Sequence, residues 1–370
     1  MARVVVVGAG VIGTLHAYLA LRAGHEVTHL ERELAARGAS VRNFGLIWVS
    51  GRRPGEELSF ALRSRELWGE LKEQVPGIGF RANGSLTIVQ EEAELRVLEQ
   101  VMAREDSSSR RFSLLDAAEV EAVNPAVRGR ILAGLHCRAD AAVEPSIVPG
   151  ALRAAMERSD RYSWMPGRHI VGVDDSGVHD HRGCSYDGDL VVICPGAAHR
   201  TLGGWDPEQA PLRRVRLQMM ETEPSPLRLT TSIADSDSLR YYPAFDVPAL
   251  ADLPEPAPIV REQHMQLLLQ QRLDGRLTVG DTHEYDEPFD VAVSDEPYVH
   301  LQERVESILG APMPKVRRRW AGVYSQAVDD RLFHREQVAA DAWVVTGAGG
   351  RGMTLAPAIA ERVLSELGLI

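Results

Sequence analysis

At 370 residues, with 44% hydrophobic and 25% charged residues, the chain is long enough for two domains or one composite unit with a substantial core. Its 41 basic residues against 52 acidic ones leave a formal net charge of −11, which argues against nucleic acid or an anionic membrane as an overall partner. Cys137, Cys184 and Cys194 are too few and too scattered for a disulfide framework or a zinc site, and no apolar stretch reaches the roughly 18 residues that a membrane helix needs. Reduced thiols, and a start that runs directly into a strand, predict a cytoplasmic protein with no signal peptide before the fold.

The first predicted strand covers residues 3–7, Arg-Val-Val-Val-Val. Gly8, Gly10 and Gly13 follow in the spacing G-x-G-x-x-G. A helix is predicted over 11–23, and a second strand over 26–30 runs into Glu31. Each part has its own physical task. Gly8 permits the tight turn, Gly10 lets a pyrophosphate approach the backbone, and Gly13 lets helix and strand pack closely. The helix N-terminus offers free N–H groups to phosphate oxygens. Glu31, 18 residues after Gly13, stands where a carboxylate accepts hydrogen bonds from ribose hydroxyls.

A turn-rich segment, Arg37–Gly45, comes next. Helices are predicted over 56–75, 91–104, 114–123 and 146–158, with a strand over 84–89 between the first two. The period then shortens. Residues 169–174, 177–181 and 189–194 read as short strands, and 214–222, 240–243, 264–271 and 276–281 as longer alternating ones. A helix over 297–309, a strand over 342–346, the run Gly347–Thr354 and a helix from about 355 to 367 follow. The glycine run reads either as a second anion-ready helix N-terminus or as a loose loop. Nucleotide-binding parts thus stand at the start, at 145–200 and at the far end, with strand-rich material between them. That order predicts two interleaved domains.

Four places, Val6–Gly13 with Glu31-Arg32, Gly38–Gly45 with Ser40, Leu190–Ala197 and Gly347–Pro357, together resemble the FAD-dependent oxidoreductases of the D-amino-acid oxidase type, which include glycine oxidase and sarcosine oxidase. Gly280-Asp-Thr-His-Glu284 resembles the family's G-x-T-x-E strand end. The resemblance implies an α/β architecture. A Rossmann-like FAD-binding domain with a parallel sheet (1–80, 145–205 and 325–370) would interleave with an antiparallel-sheet substrate domain (81–144 and 206–324). It implies that Gly8, Gly10 and Gly13 cradle the pyrophosphate, that Glu31 binds the ribose and that Arg32 lies along the adenine. Ser40, Arg42 and Asn43 would line the pyrophosphate–flavin turn, with Gly196 and Ala197 packed near the cofactor. Gly349, Gly350, Gly352, Met353 and Thr354 would approach the flavin pyrimidine edge. The cysteine that sarcosine oxidases use for covalent flavin has no counterpart, so the implied FAD is noncovalent.

A finer resemblance is carried by Ser40–Gly45, Gly280–Tyr285, Gly322-Val-Tyr324 and Gly352–Leu355. These are similar to a subfamily associated with phosphonate-degradation genes. They imply oxidation of an aminophosphonate, such as 2-aminoethylphosphonate or its N-methyl form, with dioxygen or another acceptor reoxidising the flavin. Relatives that act on carboxylates commonly carry an Arg in a G-x-R pattern where this chain has Gly322-Val-Tyr324, and Tyr cannot reproduce a bidentate clamp. Glycine oxidase, similar to this chain at the C-terminal loop, carries an Arg where Gly350 stands, and Arg351 beside it is a candidate replacement for that Arg.

The remaining candidates keep two readings each. His283 orients the substrate or is a satisfied histidine, Tyr324 binds a phosphonate or packs, and Trp48 is a flavin-site or a core aromatic. Asn43 belongs to the same candidate substrate set. Arg213–Arg216 and Arg317–Arg319 form an anion-attracting rim or solvated faces. His179-Asp-His181 lacks a third ligand nearby, so no metal is expected. The expected reaction is hydride removal from the carbon beside an amine nitrogen, giving an imine that water hydrolyses. Three alternatives stand beside it: a glycine, sarcosine or D-amino-acid oxidase, an NAD-dependent dehydrogenase using only the N-terminal fingerprint, and a non-catalytic flavoprotein subunit.

Overall fold

The structure is a computed structural model that describes residues 1–290 and 292–370. It is built on two large sheets. The first is centred on β1 (Arg3–Val7), which is followed by α1 (Val11–Arg22) and β2 (Glu26–Glu31). Its six strands run in the order 334–339, 342–346, 190–193, β1, β2, 162–166. All neighbours are parallel except 334–339, which is antiparallel to 342–346 at one edge. Parallel strands are buried on both faces, and the valines of β1 show it. Val4 and Val6 join the core that contains Leu15 of α1, whereas Val5 joins Ile170, Val178 and Val191 on the other side. Around α1 stand the helices Val148–Met156 and Gly352–Glu366.

The second sheet has eight strands in the order 316–327, 212–224, 276–280, 268–271, 232–234, 85–89, 133–137, 112–116. Only 232–234 and 85–89 pair in parallel. Side chains alternate between its faces. Met220 and Leu269 pack with Leu301, Val305 and Ile308 of the helix Glu296–Leu309, while their neighbours Met219 and Leu268 join the core shared with the first sheet. One face is therefore covered by a helix, and the other looks towards the nucleotide-type half.

Three contacts tie the halves. Arg272 is half-buried and donates to the carbonyls of Asn43 and Phe44 at 2.7 and 2.8 Å and to Thr278 Oγ1 at 2.8 Å. Burial pushes its guanidinium down to about 10. Asp140, fully buried, accepts the N–H groups of Val49 and Ser50 and the hydroxyls of Ser50 and Ser85. Finally, the strand 316–327 runs out of its sheet onto the glycine run: Ala327 donates to Gly347 at 2.8 Å and Gln326 pairs with Ala348.

Several elements differ from the sequence reading. Arg240–Pro243, expected as a strand, is a helical turn over Ser238–Tyr241 followed by a 3-10 turn over Pro243–Phe245. Proline has no N–H to give a ladder. The helix expected over 114–123 divides into a strand, Phe112–Asp116, and a helix, Ala117–Val123. Asp116 and Glu119 close a reciprocal capping box at the junction, with bonds of 2.9 and 3.0 Å. The strand expected over 264–271 contracts to Leu268–Gln271. The last helix starts at Gly352, three residues early, and contains Pro357. Proline leaves the carbonyl four residues back without its helical donor, and the Trp68 indole fills that place by donating to Met353 O at 3.1 Å. Strands at 133–137, 162–166, 232–234, 316–327 and 334–339 were not foreseen. Among the described residues, no helix is long and apolar enough to cross a membrane.

Candidate active site

The chain leaves β1 through Gly8, whose φ of +99° belongs to glycine. A Cβ there would lie 2.4 Å from the Cys194 carbonyl oxygen, and one on Gly13 would lie 2.0 Å from that of Gly8. These two glycines let helix and strands close up. Gly10 differs, since its Cβ would meet only Ser40 Oγ, at 3.1 Å. It keeps the mouth of the turn open. Ser40 accepts the Val11 N–H at 2.8 Å, and the amides that follow in the first turn of α1 have no acceptor within the helix.

Glu31 is buried at the end of β2 and accepts the N–H of Ala9 at 2.7 Å through one oxygen and that of Glu33 at 3.0 Å through the other. Each oxygen keeps a further lone pair. His29 fixes the turn from below. Its Nε2 faces the Gly8 carbonyl at 3.1 Å and must donate, so Nδ1 accepts from the Tyr162 hydroxyl at 3.0 Å. Burial pushes this imidazole down to about 4 and keeps it neutral.

From this turn a cleft of about 670 Å³ runs between the two sheets. Every residue that the sequence assigned to the cofactor or substrate site lines it: Gly8, Gly10, Gly13, Glu31, Arg32, Ser40, Arg42, Asn43, Trp48, Gly196, Ala197, His283, Tyr324, Gly349, Gly350, Arg351, Gly352, Met353 and Thr354. The basic runs, His179 and His181 do not. The N-termini of α1 and of the helix Gly352–Glu366 both open onto it. Two partial positive ends therefore face one space, which suits a ligand with a diphosphate and an electron-rich ring.

The side chains at these positions do different things. Asn43 is fully engaged, donating to Ala39 O and Ser40 O and accepting from Gly45 N. Thr354 accepts from Trp48 N at 2.9 Å and donates to Leu46 O, tying the last helix to the segment before it. Arg351 turns towards the Leu332 carbonyl at 3.2 Å and Glu57 at 3.7 Å. Buried Arg52, which the sequence reading missed, shares Glu57 with it at 3.4 Å. Arg351 is thus partly engaged by protein acceptors while it lines the cleft. Of the basic runs, Arg214 pairs with Glu287, Arg216 with Glu284, Arg318 with Glu221 and Arg319 with Asp295. His179 binds Asp174 and Ser185 within a small surface sheet.

At its far end the cleft becomes a chamber of aromatic rings. Tyr241 stacks on His283 with centroids 4.5 Å apart and meets Tyr242 edge-on at 4.9 Å, and Tyr285 lies beyond His283 at 6.5 Å. The Tyr324 hydroxyl stands 3.5 Å from where a Cβ on Gly350 would be, so the chamber abuts the glycine run. His283 Nδ1 donates to His264 O at 2.9 Å and Nε2 accepts from the Tyr241 hydroxyl at 2.8 Å. Burial pushes His283 down to about 4; it is a neutral scaffold. Asp281 and Gln266 also line the chamber. Gln266 Nε2 donates to Asp281 Oδ1 at 3.1 Å, but Gln266 Oε1 is buried without a partner. Burial pushes Asp281 up to about 8. Arg213 lies 4.0 Å over the Tyr285 ring, bonds to Gln326, and joins no ion pair among the described residues. In register it pairs with Gln326, two residues along from the Val215–Tyr324 pair.

Comparison with known proteins places this arrangement. Residues 3–366 match the family described as FAD dependent oxidoreductase (DAO). Among solved structures, glycine oxidase from Bacillus cereus superposes with a TM-score of 0.78 at 19% identity, covering 100% of this chain and 95% of its own. L-proline dehydrogenase from P. horikoshii gives 0.79 at 19%, covering 99% and 94%. Iminodiacetate oxidase from a Chelativorans species gives 0.77 at 17%, covering 99% and 95%. These likenesses show the fold. No curated protein sequence matches.

Proposed function

Because the chain belongs to the FAD-dependent oxidoreductase family, we propose that it oxidises a small primary or secondary amine with an anionic end, most specifically an aminophosphonate such as 2-aminoethylphosphonate or its N-methyl form. The observation that carries this reading is that Arg213 stands two residues along from Val215, the partner of Tyr324, on the neighbouring strand. Tyrosine occupies the place where carboxylate-specific relatives carry a clamping arginine, and one strand away, on the same face, stands a guanidinium without a carboxylate. A fixed positive charge with several donors suits a phosphonate. The likeness to proteins named as a glycine oxidase and an iminodiacetate oxidase supports amine chemistry, and the family replaces the NAD-dependent alternative.

The residues fit FAD on structural grounds. Gly10 leaves an open cradle, the Gly196 Cβ position is free of neighbours, and two helix N-termini face the cleft. Glu31, Ser40 and the first-turn amides of α1 would hold the dinucleotide, and the Gly349–Thr354 segment would face the ring. When bound, FAD supplies the hydride acceptor that no side chain can provide. The protein does the rest. Tyr241, Tyr242, Tyr285 and Tyr324 exclude water from the carbon–nitrogen bond, Arg213 holds the anionic end, and the helix Gly352–Glu366 places its positive end where negative charge develops. The imine leaves and is hydrolysed to an aldehyde.

The test is an anaerobic visible spectrum of the holoprotein after separate addition of 2-aminoethylphosphonate, its N-methyl form, sarcosine and glycine. Bleaching of the flavin bands by an aminophosphonate is expected. Bleaching by sarcosine or glycine alone moves the protein to the carboxylate branch, with Arg213 as the clamp. No bleaching by any amine overturns the reading.

A further inference from the structure

One buried acid in the chamber has no role in the scheme above. Asp281 follows the strand Arg276–Gly280, its side chain is 8% exposed, and it lines the cleft. Among the described residues, the sole basic nitrogen within 4 Å of its carboxylate is His283 Nε2, at 3.9 Å. That nitrogen is no cation and no donor. Its partner on the other side of the ring is a carbonyl, so the proton sits on Nδ1, and Nε2 accepts from Tyr241. The Asp281 charge is felt by Tyr241, Tyr242, Tyr285 and Tyr324 alike, which places it centrally among the four. Beside it, Gln266 Oε1 is a second buried acceptor without a donor. A chamber walled by tyrosine rings, with Gln266 Oε1 unmet and a buried acid that has no cationic partner among the described residues, calls for a cation rich in N–H groups.

We infer that Asp281 is the counter-ion for the substrate's ammonium group and accepts the proton that must leave it before oxidation. This rests on the proposal that the substrate is an amine. Small amines enter neutral solution as R–NH₃⁺, whose nitrogen has no lone pair to form a C=N bond. Transfer of one proton to Asp281 Oδ2 gives R–NH₂ and the carboxylic acid, with charge conserved. The neighbouring C–H bond then breaks with its electron pair leaving as hydride to FAD, while the nitrogen lone pair forms the C=N bond. Burial raises the proton affinity of Asp281 to about 8 before the ammonium binds, so at neutral pH the acid releases its own proton to solvent as the ammonium arrives. The resulting carboxylate, with a proton affinity much nearer to that of an amine than an exposed carboxylate has, then accepts one from the nitrogen. Gln266 Oε1 accepts a second N–H and keeps the nitrogen in place.

The probe is tert-butylammonium, which carries the charge and the N–H groups but has no hydrogen on the adjacent carbon and cannot be oxidised. Its uncharged counterpart is tert-butanol. Binding of each to the holoprotein is read from perturbation of the flavin absorption bands. At about pH 9, where Asp281 is ionised and the ammonium is still charged, wild type is expected to prefer tert-butylammonium by roughly 30-fold or more, and Asp281→Asn, with flavin content and melting temperature retained, is expected to lose that preference. The asparagine keeps an oxygen for Gln266 Nε2. If Asp281→Asn does not fold, the wild-type comparison decides alone, because equal binding of the two probes overturns the inference. An unchanged preference in a folded Asp281→Asn also overturns it, and leaves amine oxidation standing if wild type is bleached. Preference for the ammonium without bleaching by any amine sustains the role of Asp281 as counter-ion and overturns the oxidation instead.

Discussion

The two ends of the cleft are built on opposite plans. At the dinucleotide end, polar groups are answered from within: Glu31 takes two backbone N–H groups, Ser40 takes the Val11 amide, and His29 pins the Gly8 carbonyl. In the tyrosine chamber, Gln266 Oε1 and the Asp281 carboxyl are left without full partners, and Arg213, stacked on Tyr285, joins no ion pair among the described residues. The first end is a finished receptacle whose shape comes from the protein's own bonds. The second holds unmet polar groups that only a ligand completes. Binding in the first should tolerate little change to the chain, whereas the second should tolerate substitution and report it through the substrate.

Acid attacks both ends, and gives the largest expected effect. His16, His29 and His283 are pushed by burial from 6.5 down to about 4. The unfolded chain takes up protons from pH 6.5 downward and the native chain does not, so stability is lost as pH falls through that window. Asp281, pushed up to about 8, acts with the opposite sign, since its contribution is present at low pH and fades as pH rises from its unfolded value towards 8. Asp140 and Asp237 are raised by burial as well, but His136, His199 and His300 are lowered like the other three, so six histidines stand against three acids and the melting temperature should fall between pH 6.5 and 4. Gly13→Ala comes next: a Cβ 2.0 Å from the Gly8 carbonyl should cost roughly 3 kcal/mol or more, read as lost flavin and a lower melting temperature. Glu31→Ala leaves the Ala9 and Glu33 amides without their acceptor, and should weaken flavin retention about 10- to 100-fold in dialysis, with the chamber's substrate preference intact.

On the chamber side, Arg213→Ala should raise KM for the aminophosphonate about tenfold at unchanged flavin content. An unaltered KM would remove Arg213 from the site. Smallest of all, Tyr324→Phe removes one hydroxyl and keeps the ring, so the loss in kcat/KM should be only a few-fold. Equal damage to flavin retention from the chamber variants would erase the distinction between the two ends.

The same division governs what the sequence disclosed. The dinucleotide end is legible because its parts are consecutive: strand, glycines, helix, strand and acid all fall within residues 3–31, and each residue type answers a local need. The chamber draws Tyr241 from a turn, Gln266 and Asp281 from the two flanks of a hairpin, and Tyr324 from another strand. Nothing local separates Asp281 from the ion-paired Glu284 three residues on. Tyr241-Tyr242 read as a strand because aromatic pairs favour strands, and only Pro243 spoke against it. Val316–Ala327 escaped notice because its Arg317, Arg318 and Arg319 face out, as charged residues do on an edge strand. Arg318 and Arg319 are ion-paired, whereas Arg213 in the other basic run stacks on Tyr285.

The helix Gly352–Glu366 packs directly on α1, and its neighbour Ala342–Thr346 is a strand of the first sheet. In a chain made from its N-terminus, the nucleotide turn is therefore synthesised hundreds of residues before the helix and strand that support it. At ordinary translation rates that interval is on the order of tens of seconds. Through all of it α1, apolar along most of its length, lacks its partner. The cofactor pocket is thus an event near the end of synthesis, and a ribosome stalled before residue 342 would hold a nascent chain with the fingerprint exposed and no competent site.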